Sequence, residues 1–598
     1  MMKRNSFRAI VFLIFSFVGA YFAHQIERDF GRIDVYTVSF ITEENHPMVA
    51  KLYRPISAIK DTPKPGLLAL HGYQSDKEAT NTFGALELAK RGFVVLAIDH
   101  FGHGYSTALP AANKNMSGAN NGYQYLKSLP FVDKERLGIF GHSTGALNAI
   151  GVAKLNPDHK AVNGQSSNGG DPSLHNYLVT QGLYEEIGGY REKSFPVKEL
   201  VKNEARLKAF NLPINGQLQW NHTYGDFADG SARRAALVNG THLGVMIAEQ
   251  TNKEAILWFN QTLQNGVQDA DWIDPDRQTY WYKEFAGLFA LFSALVSALF
   301  LANGLLRNSY FCAVTQTPSK LTALSQGKWW AFALVNVVMT MILYPLFTQW
   351  GGANEPIASI IPFMPLEMGN GIILWLVVSA MINYLFFLLW KRNTKVSLRE
   401  FGVLTNNQGV TTPQIVIRHF ILAVILIIYL YGITSFVHTF WGVELRFLWP
   451  LLKPLTAERF MLFPVYWLLI LLFFFSFNGL IATVQMRMKQ AESFAITLLS
   501  WTVKTNFFAV SGLILLWLFH FVPDFMQIGP GFDIVGLPQF GGRWMMMLAV
   551  IIPQFIVFIF LNHWCYLKTG YVYLGVFLTS MLMAWIIVGG QVIGRFLG

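Results

Sequence analysis

Long apolar runs separated by short polar stretches fill the second half of the chain. A transmembrane helix needs about 20 mostly apolar residues, because nothing in the bilayer core can satisfy open backbone groups. Eight runs meet this requirement, and they lie near residues 285–306, 329–348, 371–390, 416–437, 461–483, 506–522, 544–562 and 571–592. The pattern therefore predicts an all-α transmembrane domain of eight spans within residues 281–598.

A ninth, shorter apolar run stands near the N-terminus. The stretch "AIVFLIFSFVGAYFA" at residues 9–23 follows the basic residues Lys3, Arg4 and Arg8. We expect residues 1–29 to form an uncleaved transmembrane anchor, because the last three residues of the stretch extend the apolar run. A secretory signal peptide cleaved near Ala20 is the alternative interpretation.

Residues 30–280, between these apolar regions, have the periods of a globular domain. "YTVSFI" and "MVAKLYRPI" alternate like antiparallel strands, whereas "GLLALHG" (66–72) and "FVVLAIDHFGHG" (93–104) are the continuous apolar runs of buried parallel strands. Helical stretches such as "TFGALELAKRG" and "GALNAIGVAKLN" lie between further strand-like runs. The alternation predicts an α/β domain with a mostly parallel sheet, in which functional sites form at the carboxyl ends of the strands.

Composition and charge add an orientation to this picture. Of the 598 residues, 53% are hydrophobic and 14% charged, and the net charge is +10. Fifteen Lys or Arg residues fall in the N-terminal tail and in the loops on its side of a nine-span arrangement, whereas five fall in the opposite loops and the C-terminal end. Basic loops are retained on the cytoplasmic side. The asymmetry predicts a multi-pass protein, which we assign to the plasma (cytoplasmic) membrane, with residues 30–280 on the extracytoplasmic side.

The sequence "ERLGIFGHSTGALNAIG" carries the candidate chemistry. Its strand-like part ends in Gly-His-Ser-Thr-Gly, residues 141–145, and a helical pattern follows. Glycines flank a residue in this way where a sharp strand-to-helix turn forces close backbone contacts, and the Gly-x-Ser-x-Gly pattern is that of a nucleophile elbow. We therefore predict that Ser143 is a catalytic nucleophile.

With this motif the chain resembles the α/β-hydrolase superfamily over about residues 33–265. "LALHGYQS" is similar to the strand and His-Gly of the family, and "AIDHFGHGYS" is similar to its Asp-x-x-Gly-x-Gly turn. The resemblance implies an oxyanion hole made by the backbone N–H groups of Tyr73 and Thr144. It also implies that Asp99, His100 and His103 are structural residues of a turn.

The resemblance further implies a base and an acid in chain order after the serine. The family places the base after the last strand, where "AALVNGTHLG" supplies His242, and the acid after the preceding strand, where "NYLVTQGLYEEIGG" supplies Glu185. The family usually has Asp at the acid position. Glu186 is the second candidate for the acid, and Asp171 and Asp229 are more distant ones. The histidines that compete with His242 are expected to be packing or surface residues: His142, His159, His175 and His222.

No zinc-type Cys/His spacing, dinucleotide-binding glycine motif or P-loop occurs in the sequence, so we expect neither a metal nor a nucleotide cofactor. The predicted partners are a small-molecule or lipid acyl substrate and the lipid bilayer, with no nucleic acid. We expect a serine hydrolase that cleaves an ester or related acyl bond of a lipid or membrane-near molecule. Acyl transfer by the same residues, a transporter with a gating or binding domain of hydrolase type, and a peptidase are the alternatives.

Two outer loops of the transmembrane domain mix aromatic, proline and charged residues. They are residues 351–371 and residues 438–460. We expect both loops to pack beneath the globular domain.

Overall fold

A computed structural model describes residues 2–43, 45–79, 81–107, 116–350, 364–405 and 409–594. The strands of the globular domain are β1 (Ile33–Ile41), β2 (Pro47–Pro55), β3 (Lys64–Leu70), β4 (Val94–Ile98), β5 (Val132–His142), β6 (Ala161–Gln165), β7 (Tyr177–Tyr184), β8 (Thr223–Tyr224) and β9 (Arg233–Thr241). Its helices are α2 (Asn81–Ala89), α3 (Ala119–Ser128), α4 (Thr144–Leu155), α5 (Glu204–Ala209), α6 (His242–Ile247) and α7 (Glu249–Leu263), after α1 (Met2–Glu27).

The nine strands form one sheet in the order β1-β2-β4-β3-β5-β6-β7-β9-β8. Strands β4, β3, β5, β6, β7 and β9 run parallel to one another, and antiparallel strands complete both edges. Strand β4 is buried along its whole length, because separate hydrophobic clusters cover the two faces of the sheet. The fold class predicted from the sequence is confirmed. The parallel strands all end at one edge, where Ser143 follows β5 and His242 follows β9.

The remaining helices form the part of the chain called here the membrane half, residues 280–594. These helices are α8 (Tyr280–Leu305), α9 (Ser309–Cys312), α10 (Gln326–Trp350), α11 (Glu367–Arg392), α12 (Thr412–Trp441), α13 (Ala457–Phe474), α14 (Phe494–Phe525), α15 (Gly531–Ile534), α16 (Arg543–Thr569) and α17 (Tyr573–Gly590). Within the described ranges, nine helices are long and apolar enough to cross a membrane, and α1 is one of them. This finding agrees with a multi-pass membrane protein.

Two local features of the membrane half are not predicted by the apolar pattern. A two-stranded hairpin, β10 (Leu445–Phe447) with β11 (Trp449–Leu452), interrupts the loop between α12 and α13. Helix α13 continues as a π-helix over Phe475–Gln485. The backbone hydrogen-bond pattern therefore changes within the single span that the sequence predicts at residues 461–483. Both features depend on packing against neighbours, which hydropathy does not encode.

The globular domain rests on the membrane half through polar contacts. In the 438–460 loop, Lys453 contacts Asp76, with 2.5 Å between Nζ and Oδ2, and the Tyr105 hydroxyl donates to Glu444 at 2.9 Å. Further on, the backbone N–H of Ile593 donates to the carbonyl of Gly102 at 2.9 Å. Most of the other loop expected to pack here, residues 351–363, lies outside the described residues, as does Arg595.

Candidate active site

The turn between β5 and α4 holds Ser143 in a backbone conformation that residues other than glycine rarely adopt. Its φ is 58° and its ψ is −121°. A Cβ atom on Gly145 would lie 2.2 Å from the carbonyl oxygen of Leu70, and one on Gly141 would lie 2.4 Å from the carbonyl oxygen of Gly145. Only glycine fits at both positions, which explains why the sequence places a glycine two residues before and two residues after the serine.

Ser143, His242 and Glu185 form a chain of hydrogen bonds. The Ser143 Oγ lies 2.8 Å from Nε2 of His242, and Nδ1 of the same imidazole lies 2.8 Å from Oε1 of Glu185. The exposed fractions of the three residues are 7%, 2% and 0%. In the tautomer that satisfies both contacts, Nδ1–H donates to the carboxylate and Nε2 accepts from the serine hydroxyl. An imidazole held in this way can take a proton from the serine.

The side chain of Glu186 contacts the backbone of the same histidine. Its Oε2 accepts the backbone N–H of His242 at 2.8 Å. Burial, together with the neighbouring charge of Glu185, raises the pKa of the Glu186 carboxyl well above its ordinary value. The structure therefore brings Glu185 to the imidazole and Glu186 to the backbone of the same residue.

The other acidic candidates lie away from this histidine. Asp171 pairs with Lys154, with 2.7 Å between Oδ2 and Nζ. Asp229 accepts the backbone N–H of Ser231 at 2.8 Å in an exposed turn. Both carboxylates are satisfied by local partners.

The competing histidine His142 supports the same loop. Its Nε2 lies 2.8 Å from the backbone carbonyl oxygen of His242. Burial, together with the neighbouring His242, lowers the pKa of the His142 imidazole to about 3, so the ring is neutral and donates to that carbonyl. His159 accepts the backbone N–H of His175 through Nε2 at 3.0 Å, and His222 packs against Tyr224.

The residues with the predicted oxyanion-hole amides lie beside the serine. Gly72 approaches it closely, since a Cβ atom there would lie 3.3 Å from the Cβ atom of Ser143. Tyr73 and Thr144 line the same cavity as Ser143. Among the described residues, neither the Tyr73 N–H nor the Thr144 N–H has a hydrogen-bond acceptor. Two such amides beside a serine hydroxyl could donate to an oxyanion that forms there.

Residues 72–78, called here the Gly72 loop, are attached to the membrane half at several points. The Tyr73 hydroxyl donates to the carboxylate of Glu367, and the Val592 N–H donates to Oε1 of Gln74 at 3.0 Å. Asp76 contacts Lys453. Burial alone raises the pKa of the Asp76 carboxyl, but the adjacent lysine ammonium outweighs burial and holds this pKa well below its ordinary range.

The end of the Gly72 loop enters a buried ionic cluster. Lys51 Nζ lies 2.9 Å from carboxylate oxygens of Glu27 and Glu78, and Lys283 Nζ lies 2.5 Å from Glu27. The side chains in this cluster are at most 6% exposed. Removing one partner of such a buried pair leaves an uncompensated charge and typically costs about 3–5 kcal/mol. The cluster therefore fixes the loop to α1, β2 and α8 together.

Asp99 stabilises the neighbouring turn and does not contact Ser143. Its carboxylate accepts the backbone N–H groups of Lys77 at 2.8 Å and of Tyr105 at 2.9 Å. His100 donates its backbone N–H to Nε2 of His71, and the rings of His100 and His103 lie 6.1 Å apart. These contacts are those of a packed turn.

A cavity of about 740 Å³ opens over Ser143 between the globular domain and the membrane half. The globular domain contributes Tyr73, Ser143 and His242 to its wall, and the membrane half contributes Glu367 and Arg543. Its volume is in the range typical of ligand pockets, roughly 300–1,000 Å³. Within the described ranges, no group of three or more His, Cys, Asp or Glu side chains is placed to hold a metal ion.

Tyr190 is a site residue that the sequence patterns do not indicate. Its hydroxyl lies 3.2 Å from Ser143 Oγ, and its ring stacks on the imidazole of His242 with centroids 5.0 Å apart. It sits in a segment without regular structure, next to Arg191, which pairs with Asp533 of the membrane half. No periodicity or motif marks a residue of this kind, since only the folded chain brings it over the serine.

Parts of this chain are similar to known proteins. Residues 61–165 match the family described as serine aminopeptidase, S33. The curated protein thiohydrolase aneE of Aspergillus aculeatus is 28% identical over 120 residues, which are 19% of this chain and 36% of that protein. The chain thus spans about a third of the length of this relative.

Two solved structures are also similar. Dienelactone hydrolase from Anabaena variabilis has 19% identity and a TM-score of 0.28, with 39% of this chain and 99% of that chain covered. An esterase from Pyrococcus furiosus has 16% identity and a TM-score of 0.29, with 40% and 93% covered. The family match lies inside residues 33–265, so the resemblance inferred from the sequence is confirmed.

Proposed function

We propose that this chain, whose globular part is an α/β-hydrolase domain, is a membrane-embedded serine hydrolase that cleaves an ester or related acyl bond. The observation that carries the proposal is the hydrogen-bond chain from Ser143 through His242 to Glu185. The three hydrogen-bonded side chains lie at a cavity, beside two backbone amides that have no acceptor among the described residues. These are the parts that acyl transfer through a serine needs.

In the proposed reaction, Ser143 Oγ attacks the substrate carbonyl carbon while His242 Nε2 takes the hydroxyl proton. The carbonyl oxygen becomes an oxyanion and accepts hydrogen bonds from the Tyr73 and Thr144 amides. When the tetrahedral intermediate collapses, the bond to the leaving group breaks, and the imidazolium returns its proton to that group. His242 then takes a proton from water, which attacks the carbonyl carbon of the acyl-enzyme. The ester bond to Ser143 breaks, the acid is released, and the imidazolium returns the proton to Ser143 Oγ.

Glu185 has the role of orienting carboxylate in this scheme. Its contact with Nδ1 keeps the proton on that nitrogen, so Nε2 is free to accept the serine proton. It also stabilises the imidazolium that forms transiently. The curated relative is called a thiohydrolase, and the same steps apply to a thioester, with a thiol as the leaving group.

We also propose that the substrate is membrane-near and is met outside the cytoplasm. The position of the cavity supports the first part, because its wall includes residues of candidate membrane-spanning helices. The excess of Lys and Arg in the loops on the side of the N-terminal tail supports the second part.

A fluorophosphonate probe tests the function. It forms a covalent bond to an activated serine and should label wild-type protein in purified membranes, but not Ser143→Ala. The control is Ser128→Ala, whose hydroxyl bonds only to its own helix and is exposed, and which should label like the wild type. Failure of the wild type to label, or equal labelling of Ser143→Ala, overturns the proposal.

A further inference from the structure

One wall of the cavity is a single face of helix α16. The residues of this helix that line it are Arg543, Met546, Met547 and Val550. Their spacing of three, four and seven residues places all four side chains on one side of an α-helix. The same helix belongs to the candidate span Pro538–Thr569. A helix suited to the bilayer thus turns one face of its first two turns toward the nucleophile.

Beyond Arg543 in the first turn of α16, the side chains along this wall are apolar. Four methionines line the cavity, and Met368 and Met246 join the two from α16. Methionine has a flexible thioether chain that fills irregular gaps and adapts to different apolar occupants. This lining fits an elongated apolar group of variable shape better than a rigid ring or a polar head.

Three polar side chains of the lining already have partners within the protein. Glu367 accepts from Tyr73, Asp533 pairs with Arg191, and Gln349 accepts the indole N–H of Trp544 at 2.9 Å. A polar substituent placed against Met547 and Val550, beyond Arg543, would lose its hydrogen bonds to water without gaining new ones, which is costly. The part of the wall beyond Arg543 therefore favours an apolar occupant.

Helix α16 begins at Arg543, whose charge acts on Tyr73, and continues through the candidate span Pro538–Thr569. The step from Arg543 to Val550 advances about 10 Å along the helix axis, enough to accompany on the order of eight methylenes of an extended chain. Val550 lies at the inner end of the lining residues of α16.

From these observations we infer that the acyl chain of the substrate lies along the α16 wall while its carbonyl is at Ser143. The inference rests on the proposed function and names its substrate class: esters or thioesters of medium or long acyl chains. The membrane half thereby limits the length of the acyl chain that fits in the cavity. A bulky side chain at the inner end of the wall should shorten the acceptable acyl group and leave the reacting end untouched.

Val550→Trp tests this inference, and Val557→Trp is the matched control. Val557 is on the same helix, is 41% exposed and does not line the cavity. With a series of 4-nitrophenyl esters from acetate to dodecanoate, Val550→Trp should lower kcat/KM for the longest esters by about tenfold or more relative to acetate. Val557→Trp should keep the wild-type profile. An unchanged chain-length profile in Val550→Trp overturns the inference.

A binding measurement separates this outcome from failure of the proposed function. A dodecanoyl ester with a diazirine at the chain end is irradiated with Ser143→Ala, which cannot turn it over. The crosslink should map to residues 543–550 and should be lost when Val550→Trp is added, but not when Val557→Trp is added. Crosslinking elsewhere overturns the acyl-chain site. If the ester crosslinks to α16 but a fluorophosphonate does not label the wild-type protein, the acyl-chain site is supported. In that case only the hydrolase proposal is overturned.

Discussion

The hydroxyl of Tyr73 donates a hydrogen bond to the carboxylate of Glu367, and this contact joins the Gly72 loop to the first residue of α11. Burial raises the pKa of the Tyr73 phenol, which therefore stays protonated and remains a donor. The backbone amide of the same tyrosine is the proposed oxyanion donor. The membrane half thus contacts the side chain of the residue whose backbone amide is the proposed donor.

We expect Tyr73→Phe to slow catalysis without weakening substrate binding. Loss of a complete oxyanion donor typically costs about 10²–10³ in rate, so a loosened donor should lower kcat by about tenfold. The measurements are the rate of fluorophosphonate labelling and the KM for a short ester. The control is Tyr36→Phe on the edge strand β1, where the ring is 41% exposed. Labelling of Tyr73→Phe at the wild-type rate would show that the Glu367 contact does not position the amide.

The two adjacent glutamates should respond differently to the same substitution. Glu185→Gln replaces the carboxylate that accepts from Nδ1, and we expect kcat to fall by about 10³–10⁴ because the wrong tautomer is favoured. Glu186→Gln keeps an oxygen for the His242 backbone N–H, and kcat should change by less than about tenfold. Steady-state kinetics on one ester decides between them, and a larger loss in Glu186→Gln would reverse the assignment of the acid.

Glu186 should also shape the pH dependence of stability. Its folded-state pKa is raised above the ordinary value of 4.5, first by burial. The stability it contributes is therefore fully present below about pH 4.5 and is lost as the pH rises through the folded-state pKa. Thermal unfolding between about pH 5 and about pH 8 should show the wild type losing stability relative to Glu186→Gln as the pH increases. A constant difference across this range would contradict the raised pKa.

Gly145, two residues after Ser143, should not accept a methyl group. In Gly145→Ala the new Cβ would meet the carbonyl oxygen of Leu70 at 2.2 Å, so the end of β3 or the elbow must move. We expect a loss of about 3 kcal/mol in the free energy of unfolding, together with loss of labelling. Gly189→Ala is the control, because no atom lies within 4 Å of its added Cβ. Normal labelling of Gly145→Ala would contradict the close approach.

The orientation of the protein in the membrane can be tested with the thiol of Cys312. Cys312 is exposed in the structure and lies in the basic loop between α8 and α10. In intact cells a membrane-impermeant maleimide should not modify Cys312, but it should modify Lys202→Cys, whose native side chain is 63% exposed on the globular domain. Mass spectrometry assigns the modified peptide, and detergent-permeabilised cells provide the control. Modification of Cys312 alone in intact cells would reverse the proposed orientation.

Much of the architecture follows from local pattern. The run "GLLALHG" predicts a buried parallel strand, and β3 covers Lys64–Leu70 inside a parallel sheet. The apolar run at 544–562 predicts a span, and α16 covers Arg543–Thr569. Such predictions succeed because the period of a helix or strand and the thickness of a bilayer constrain neighbouring residues directly.

The candidate site divides in the same way. Ser143 is marked by glycines that a tight turn requires within five residues, so its position is visible in the sequence. The choice between Glu185 and Glu186 is not, since adjacent residues point in different directions and only the folded loop shows which one faces Nδ1. Tyr190 carries no signal at all, because its role depends on a contact across 47 residues of chain.

By itself, the sequence determined the α/β and transmembrane parts of this protein and the turn that carries the serine. Each of these depends on spacing within a short segment, which residue order records. The tertiary structure alone decided that Glu367 holds Tyr73 and that Met546 and Val550 face the cavity of Ser143. These contacts join residues hundreds of positions apart, and their geometry arises only when the globular domain packs onto the membrane half.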